Sequence, residues 1–273
     1  MFLLPINLDK PSSGKPQATY ILIVLNSALW VLPAVVGSNS HLIQTYGYRP
    51  AAPSVLTIFA SMFLHVGFWH VAGNMWFLWM FARKIEERFG SFWFVVAYLV
   101  CGLGAAALHT LLAFHSSVPC VGASGAISGV AGIYFLLFPR SPFQLDLYFG
   151  WFLVKRFRAQ TRGAVGAWIT EQFILGVLTD AVRGGTSNGG GVAFWAHVGG
   201  FATGLLCASI VLLKVGSEER EMIIRPKPLT EDEKEEIFAD RIEQPSGLTT
   251  LKLGYSLTPP KTTAHAPAAA PRE

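Results

Sequence analysis

Val121-Gly122-Ala123-Ser124-Gly125-Ala126-Ile127-Ser128-Gly129 opens an apolar run that continues to Phe138. A serine set among glycines at the mouth of such a run has two readings. In the first, Gly122 and Gly125 keep the backbone thin, so that the carbonyl of another chain can approach the Ser124 hydroxyl as it would a nucleophile. In the second, Gly and Ser are the small contact residues by which membrane helices pack. Taken alone, packing is the commoner explanation. Two further stretches change the balance: Trp195-Ala196-His197-Val198-Gly199-Gly200-Phe201, and the segment from His65 to Asn74.

Composition sets the class. Apolar residues make up 52% of the 273 and charged residues only 14%, and the mean hydropathy is +0.43. A soluble chain carries charge on about a quarter of its residues. Here the apolar residues gather in long blocks, as membrane spans require. The net charge of +4 lies between and after those blocks, so topology explains it better than a nucleic-acid partner does. Cys101, Cys120 and Cys207 lack metal-ligand spacing and imply no disulfide framework.

Six spans follow in order: Tyr20–Val36, Phe63–Phe81, Phe92–Phe114, Val121–Phe138, Ala164–Leu178 and Val192–Leu213. The fold class expected is therefore an all-α six-transmembrane-helix bundle. Residues 1–17 form an N-terminal segment, 18–213 the helical domain, and 214–273 a mostly disordered tail, since its charged and then Pro/Thr/Ala-rich composition cannot bury a core. Gly37–Met62 is a long connection, Ala82–Gly90 a charged, helix-forming linker, and Leu147–Val154 a hairpin or interfacial segment. Span five is the weakest, short and interrupted by Glu171 and Gln172. These two suggest a polar patch packed against span two or facing the path of a substrate; packing is the favoured alternative.

With the N-terminus inside, ten basic residues before the tail and nine within it lie inside, and only Arg49 and Arg183 outside. Both termini are thus expected in the cytoplasm, with a bacterial inner membrane as the setting. Spans two, four and six then all run inward, and His65, His70 and Asn74, Ser124, and His197 mark their starts. These polar residues share one depth, just below the outer surface. Polar groups in a bilayer are costly and face the bundle interior or a cavity, so a shared depth argues for a shared site.

Helical periodicity places Gly200 and Gly204 on the face of His197, and Ser128, Ala131 and Gly132 on that of Ser124. Small residues on both faces permit close approach, which is what a hydroxyl and an imidazole need to share a hydrogen bond. His197 can then serve as general base toward Ser124 and as general acid toward a leaving amine. No Asp or Glu lies near these span starts, and Asp180 is wrongly placed to orient His197, so a dyad is expected. His70 and Asn74, four residues apart on one helix face, could join the Ser124 backbone N–H as oxyanion donors; an interhelical hydrogen bond is the competing explanation for them. His65 is expected to support the loop or the site's edge. His109 and His115 are expected at the interface.

Gly122-Ala123-Ser124-Gly125, Ala196-His197-Val198-Gly199-Gly200 with Gly204, and His65-x4-His70-x3-Asn74 together resemble the rhomboid family of intramembrane serine proteases. Glu86 and Gly90 after span two also resemble the family pattern. The resemblance covers about residues 18 to 213. It implies a Ser124–His197 dyad, with His70 and Asn74 helping the oxyanion hole. It also implies cleavage of membrane-anchored protein substrates near the outer face, without cofactor or metal. The fold it implies has a short central fourth helix, with span five and the Gly184–Gly191 cap loop acting as a gate in which Phe173 is a likelier contact than the inner Trp168. Two departures stand out. Leu56-Thr57 occupies the place of a Trp-Arg pair, and Ser128 that of an aromatic that stacks on the histidine in some relatives. Phe194, Trp195 or Phe201 is expected to hold His197 instead.

Other chemistries fail on the residues. There is no His-Glu-x-x-His zinc helix, no intramembrane aspartate pair, and no Gly-x-Ser-x-Gly elbow, because Ala126 stands where its second glycine would. The rivals are a catalytically inactive relative that binds membrane clients, which typically lacks the Ser or His, and a transporter, which no repeat or broken helix pair supports. The partners expected are the lipid bilayer and transmembrane protein substrates.

Overall fold

The computed structural model describes residues 2–7, 16–149, 152–183 and 193–214. The expected cap loop (Gly184–Gly191) and the tail after Lys214 lie outside the described residues. In chain order the elements are β1 (Phe2–Asn7), α1 (Gln17–Val35), α2 (Asn39–Tyr46), α3 (Val55–Ser61), α4 (Phe68–Phe89), α5 (Ser91–Ala113), α6 (Ser124–Leu137), β2 (Pro142–Phe149), β3 (Phe152–Gln160), α7 (Thr161–Arg183) and α8 (Phe194–Lys214). Four of these, α1, α5, α7 and α8, are long and apolar enough to cross a membrane. Their outward faces carry exposed apolar side chains such as Ile21, Val24, Leu111, Ile174 and Leu213, the arrangement that suits lipid as solvent.

The centre is α6. It has only 14 residues, about 21 Å of helix at about 1.5 Å per residue. Every residue from Ala126 to Tyr134 is buried, so the helix is enclosed on all sides by α4, α5, α7 and α8. Against α8 the approach is very close. A Cβ on Gly200 would meet the carbonyl oxygen of Gly125, one on Gly204 that of Gly129, and one on Gly132 that of Phe201. Apolar helices in lipid gain little from hydrophobic burial against one another, so van der Waals contact between bare backbones carries much of the association. The α6 face in this contact is Gly125, Gly129 and Gly132; of the face expected, Gly132 takes part, and Ser124, Ser128 and Ala131 lie one stripe away. Ser128 and Ala131 instead border a cavity. Gly125 packs against Ala105 and α8 and also borders the cavity at the helix starts.

A buried carboxylate joins three helices. Glu86 Oε1 accepts from Ala18 N (2.7 Å) and Ser91 Oγ (2.5 Å), and Oε2 from Thr19 N (2.8 Å) and Thr19 Oγ (2.7 Å). The first backbone N–H groups of a helix have no acceptor within it, and α1 is preceded at its cap position by Pro16, whose side chain cannot cap. Glu86 supplies from α4 what the local sequence lacks. Gly90, at φ +81°, then turns the chain from α4 into α5 through a conformation that favours glycine.

Several boundaries differ from expectation. Span two and its charged linker are one helix, α4, which begins after Gly67, so His65 precedes it. Hydropathy marks where a helix is apolar; Ala82–Phe89 are good helix formers and carry the same helix onward. Span five is not short: α7 has 23 residues. It packs on α8 and α6 instead of on span two. The Gly37–Met62 connection contains α2 and α3. The fold is also not all-α. β1, β2 and β3 form an antiparallel sheet in that order, with Pro5 opposite Leu145 and Asp146 opposite Arg156. The hairpin expected around Leu147–Val154 is present as β2–β3, and the N-terminal segment adds a third strand. Pro5 is tolerated because β1 is an edge strand.

Candidate active site

Ser124 is the first residue of α6, His197 the fourth of α8, and His70 the third of α4. The polar residues therefore gather where three helices begin, and the glycine contact between α6 and α8 draws two of those starts together. Ser124 Oγ lies 2.9 Å from His197 Nε2. The Ser128 hydroxyl donates to the Ser124 carbonyl (2.7 Å), tying the first turn of α6 together.

Gly122 precedes the serine at φ +121°, a conformation that L side chains rarely adopt. A Cβ there would lie 2.7 Å from His70 Nε2 and 3.6 Å from Asn74 Nδ2. Glycine thus lets the strand before α6 run directly across both side chains. Its N–H donates to the Ser61 carbonyl (2.9 Å). Asn74 is 6% exposed, and its amide nitrogen has no hydrogen-bond partner among the described residues. A buried donor without an acceptor is costly, and a site that awaits a transient oxygen is one reason to keep one. The N–H of Ser124, first residue of α6, is a further donor without an intrahelical acceptor. His65 is fully buried ahead of α4, edge-on to His70 with ring centroids 5.0 Å apart, and its carbonyl accepts from Asn39 Nδ2 (3.1 Å).

The imidazole of His197 is held by residues that the sequence reading did not select. Gln172 Oε1 lies 2.7 Å from His197 Nδ1, and the Trp168 ring lies against the other side at 6.0 Å, tilted by 37°. Both come from α7. Of the aromatics expected there, Trp195 turns away to meet Phe173 edge-on and donates from Nε1 to Asp180 Oδ2 (2.8 Å), and Phe201 packs on Phe135. Trp168, the less favoured gate contact, is at the site, and Phe173, the favoured one, meets Trp195 of α8. Positions 168, 172, 176 and 180 form one i, i+4 stripe, with Trp168 and Gln172 at His197, and Gly176 and Asp180 at Trp195. That stripe is the signal available in the sequence, and it becomes legible once α8 is known to be the partner of α7.

Two cavities, each of about 800 Å³, meet at these residues. One lies at the helix starts and is bordered by His109 and Asp180 as well as Ser124, His70 and His197, so His109 belongs to the site's surroundings. The other opens between α4 and α7, with Asn74 and Phe77 on one wall and Trp168 and Glu171 on the other. Glu171 is exposed on this side and is not packed against α4 as expected. Ser124 and His197 border both. Among the described residues no three His, Cys, Asp or Glu side chains converge as metal ligands.

The family model for the Rhomboid domain matches residues 52–214. Rhomboid protein 1, mitochondrial, of Saccharomyces cerevisiae is 30% identical over 197 residues, covering 68% of this chain and 51% of the relative. Rhomboid protease GluP of Bacillus subtilis is 28% identical over 126 residues, 44% of this chain and 24% of the relative. Rhomboid-like protein 11, chloroplastic, of Arabidopsis thaliana is 29% identical over 138 residues, 48% and 47% of the two chains. The chain thus spans about half or less of the length of these relatives. With more than half of its residues matched by the Rhomboid domain, this membrane protein belongs to the rhomboid family.

Proposed function

We propose that the protein is an intramembrane serine endopeptidase that cleaves membrane-anchored protein substrates near the outer face of the membrane. The observation that carries this reading is the 2.9 Å separation of Ser124 Oγ and His197 Nε2 at the start of two apolar helices. In the proposed reaction the Ser124 oxygen attacks the scissile carbonyl and its proton passes to His197 Nε2. The resulting oxyanion accepts hydrogen bonds from Asn74, His70 and the Ser124 N–H, donors that are in place before charge develops. The imidazolium then gives its proton to the leaving amine. A water arriving through the cavity at the helix starts hydrolyses the acyl-enzyme, His197 again taking the proton.

The rest of the reading is built around that step. Residues 18–213 act as one domain of six spans, with both termini on the cytoplasmic side of a bacterial inner membrane, and a transmembrane substrate reaches the serine through the cleft between α4 and α7. The shape of that cleft, bounded by Asn74, Phe77, Trp168 and Glu171, supports lateral access. The retained Ser–His pair speaks against an inactive client-binding relative. Labelling with a serine-directed fluorophosphonate tests the proposal, with Ser124→Ala as control. Labelling of the parent alone is expected; a parent that fails to label and fails to cut any transmembrane substrate refutes it.

A further inference from the structure

The geometry points to Gln172 as a third member of the site, a positioning residue that orients His197 and makes the docking of α7 a condition for catalysis. The inference rests on the serine-protease reading above and adds to it a residue from the helix that borders the substrate cleft. A dyad leaves one imidazole nitrogen unassigned. Here Nδ1 is met at 2.7 Å by Gln172 Oε1, with Gln172 itself 7% exposed and His197 9%. An amide oxygen can only accept, so Nδ1 carries the hydrogen and the lone pair of Nε2 faces the Ser124 hydroxyl. That is the tautomer a general base needs, and the bond made by one ring nitrogen sets the state of the other. In hydrolases with a serine, a histidine and a third group, that group holds the imidazole's tautomer and orientation. Gln172 performs the orienting part without bringing a charge into an apolar bundle, where an unpaired carboxylate would be costly.

The position of Gln172 on α7 has a second effect. Trp168, one turn earlier, lies against the same ring, so α7 supplies both the hydrogen bond and the aromatic contact that hold His197. The same helix borders the cleft to α4, through Trp168 itself and Glu171. An outward movement of α7 that widened the cleft would take Gln172 from Nδ1 and leave the base unoriented. The site would then be assembled when α7 is seated and disassembled while it is displaced, so admission and cleavage occur in sequence.

The test uses the full chain in detergent and in proteoliposomes, with Gln172→Met and Gln172→Glu. Methionine preserves the volume and removes the acceptor. Glutamate, ionised or protonated, still presents an acceptor oxygen at the same reach. A small fluorophosphonate measures the state of the Ser–His pair without requiring the cleft to open, and a transmembrane substrate measures both. Gln172→Met is expected to slow labelling and to lower kcat by a common factor of about 10–100, less than the about 10²–10⁴ that a whole acid–base group supplies, because the base is kept and only its orientation is lost, with KM little changed. Gln172→Glu is expected to recover at least about tenfold of that loss. Thermal unfolding of each variant reports folding; should Gln172→Met not fold, Gln172→Asn, which keeps the amide and shortens its reach, takes its place with the same expectation. Labelling of the folded Met or Asn variant at the parent's rate overturns the inference. So does a loss confined to the transmembrane substrate, which would make Gln172 a cleft residue only, or a Glu variant as slow as Met. A parent that neither labels nor cleaves refutes the protease reading itself, and this inference with it.

Discussion

Removing the Glu86 carboxylate should uncouple α1 from the bundle. Its four acceptor contacts fall into two kinds. The hydroxyls of Thr19 and Ser91 can rotate toward other acceptors, but the N–H groups of Ala18 and Thr19 cannot, because the helix fixes their direction. Both of those residues are buried, Thr19 completely. A buried donor left unsatisfied costs about 1–3 kcal/mol, so Glu86→Ala should lower stability by about 4 kcal/mol, two such donors at the middle of that range. Glu86→Gln keeps one acceptor oxygen and turns an NH2 toward the other N–H group, so about half the loss is expected. Thr19→Val removes only a hydroxyl donor and should cost about 1 kcal/mol. The assay is equilibrium unfolding in mixed micelles, followed by tryptophan fluorescence and circular dichroism. An Ala variant within about 1 kcal/mol of the parent would show that solvent or headgroups cap α1 as well as Glu86 does, and the reasoning would fail.

Three other outcomes are expected. Ser124→Ala and His197→Ala should each abolish cleavage while leaving a folded protein, and the double variant should be no worse than either, since members of one catalytic unit are not additive; multiplying losses in the kinetics would count against the pair. Asn74→Ala should reduce kcat by about 10²–10³ with little change in KM, whereas a change in unfolding alone would make Asn74 a packing residue. In the hairpin, the Arg156 guanidinium, paired with Asp146 at 2.8 and 2.9 Å, holds that carboxyl below the usual aspartate range. A depressed folded-state value means that the stabilisation is complete above the unfolded-state value and is lost as pH falls through the folded one. Limited proteolysis of the hairpin should therefore accelerate on acidification, and Arg156→Leu should remove that dependence.

The meeting of Ser124, His197, His70 and Asn74 is legible in the sequence because each stands at the start of an apolar segment, and segments running the same way across a membrane bring their starts to one depth. The glycines of α8 are legible for a similar reason, since Gly200 and Gly204 repeat on the helical period. On α6 Gly132 of the expected face makes that contact, but the rest of the approach runs through Gly125 and Gly129, where a bare backbone matters more than the hydroxyl beside it. The start of α4 is misplaced because apolarity extends back over Met62–Leu64, while the helix begins only after Gly67.

By itself the sequence determined the membrane class, the apolar segments and the chemical character of the site, because hydropathy, spacing and side-chain type are properties of neighbouring residues. Tertiary structure alone decided the partners. Gln172 reaches His197 across 25 residues, Glu86 caps α1 across 67 and 68, and Phe2–Asn7 becomes a strand only by pairing with Phe143–Tyr148. In each case the local sequence leaves a donor, an acceptor or an edge unsatisfied and does not say what will satisfy it. The answer comes from which backbones can approach, and here that is set by glycines packing α6 against α8 and by the seating of α7 on α8.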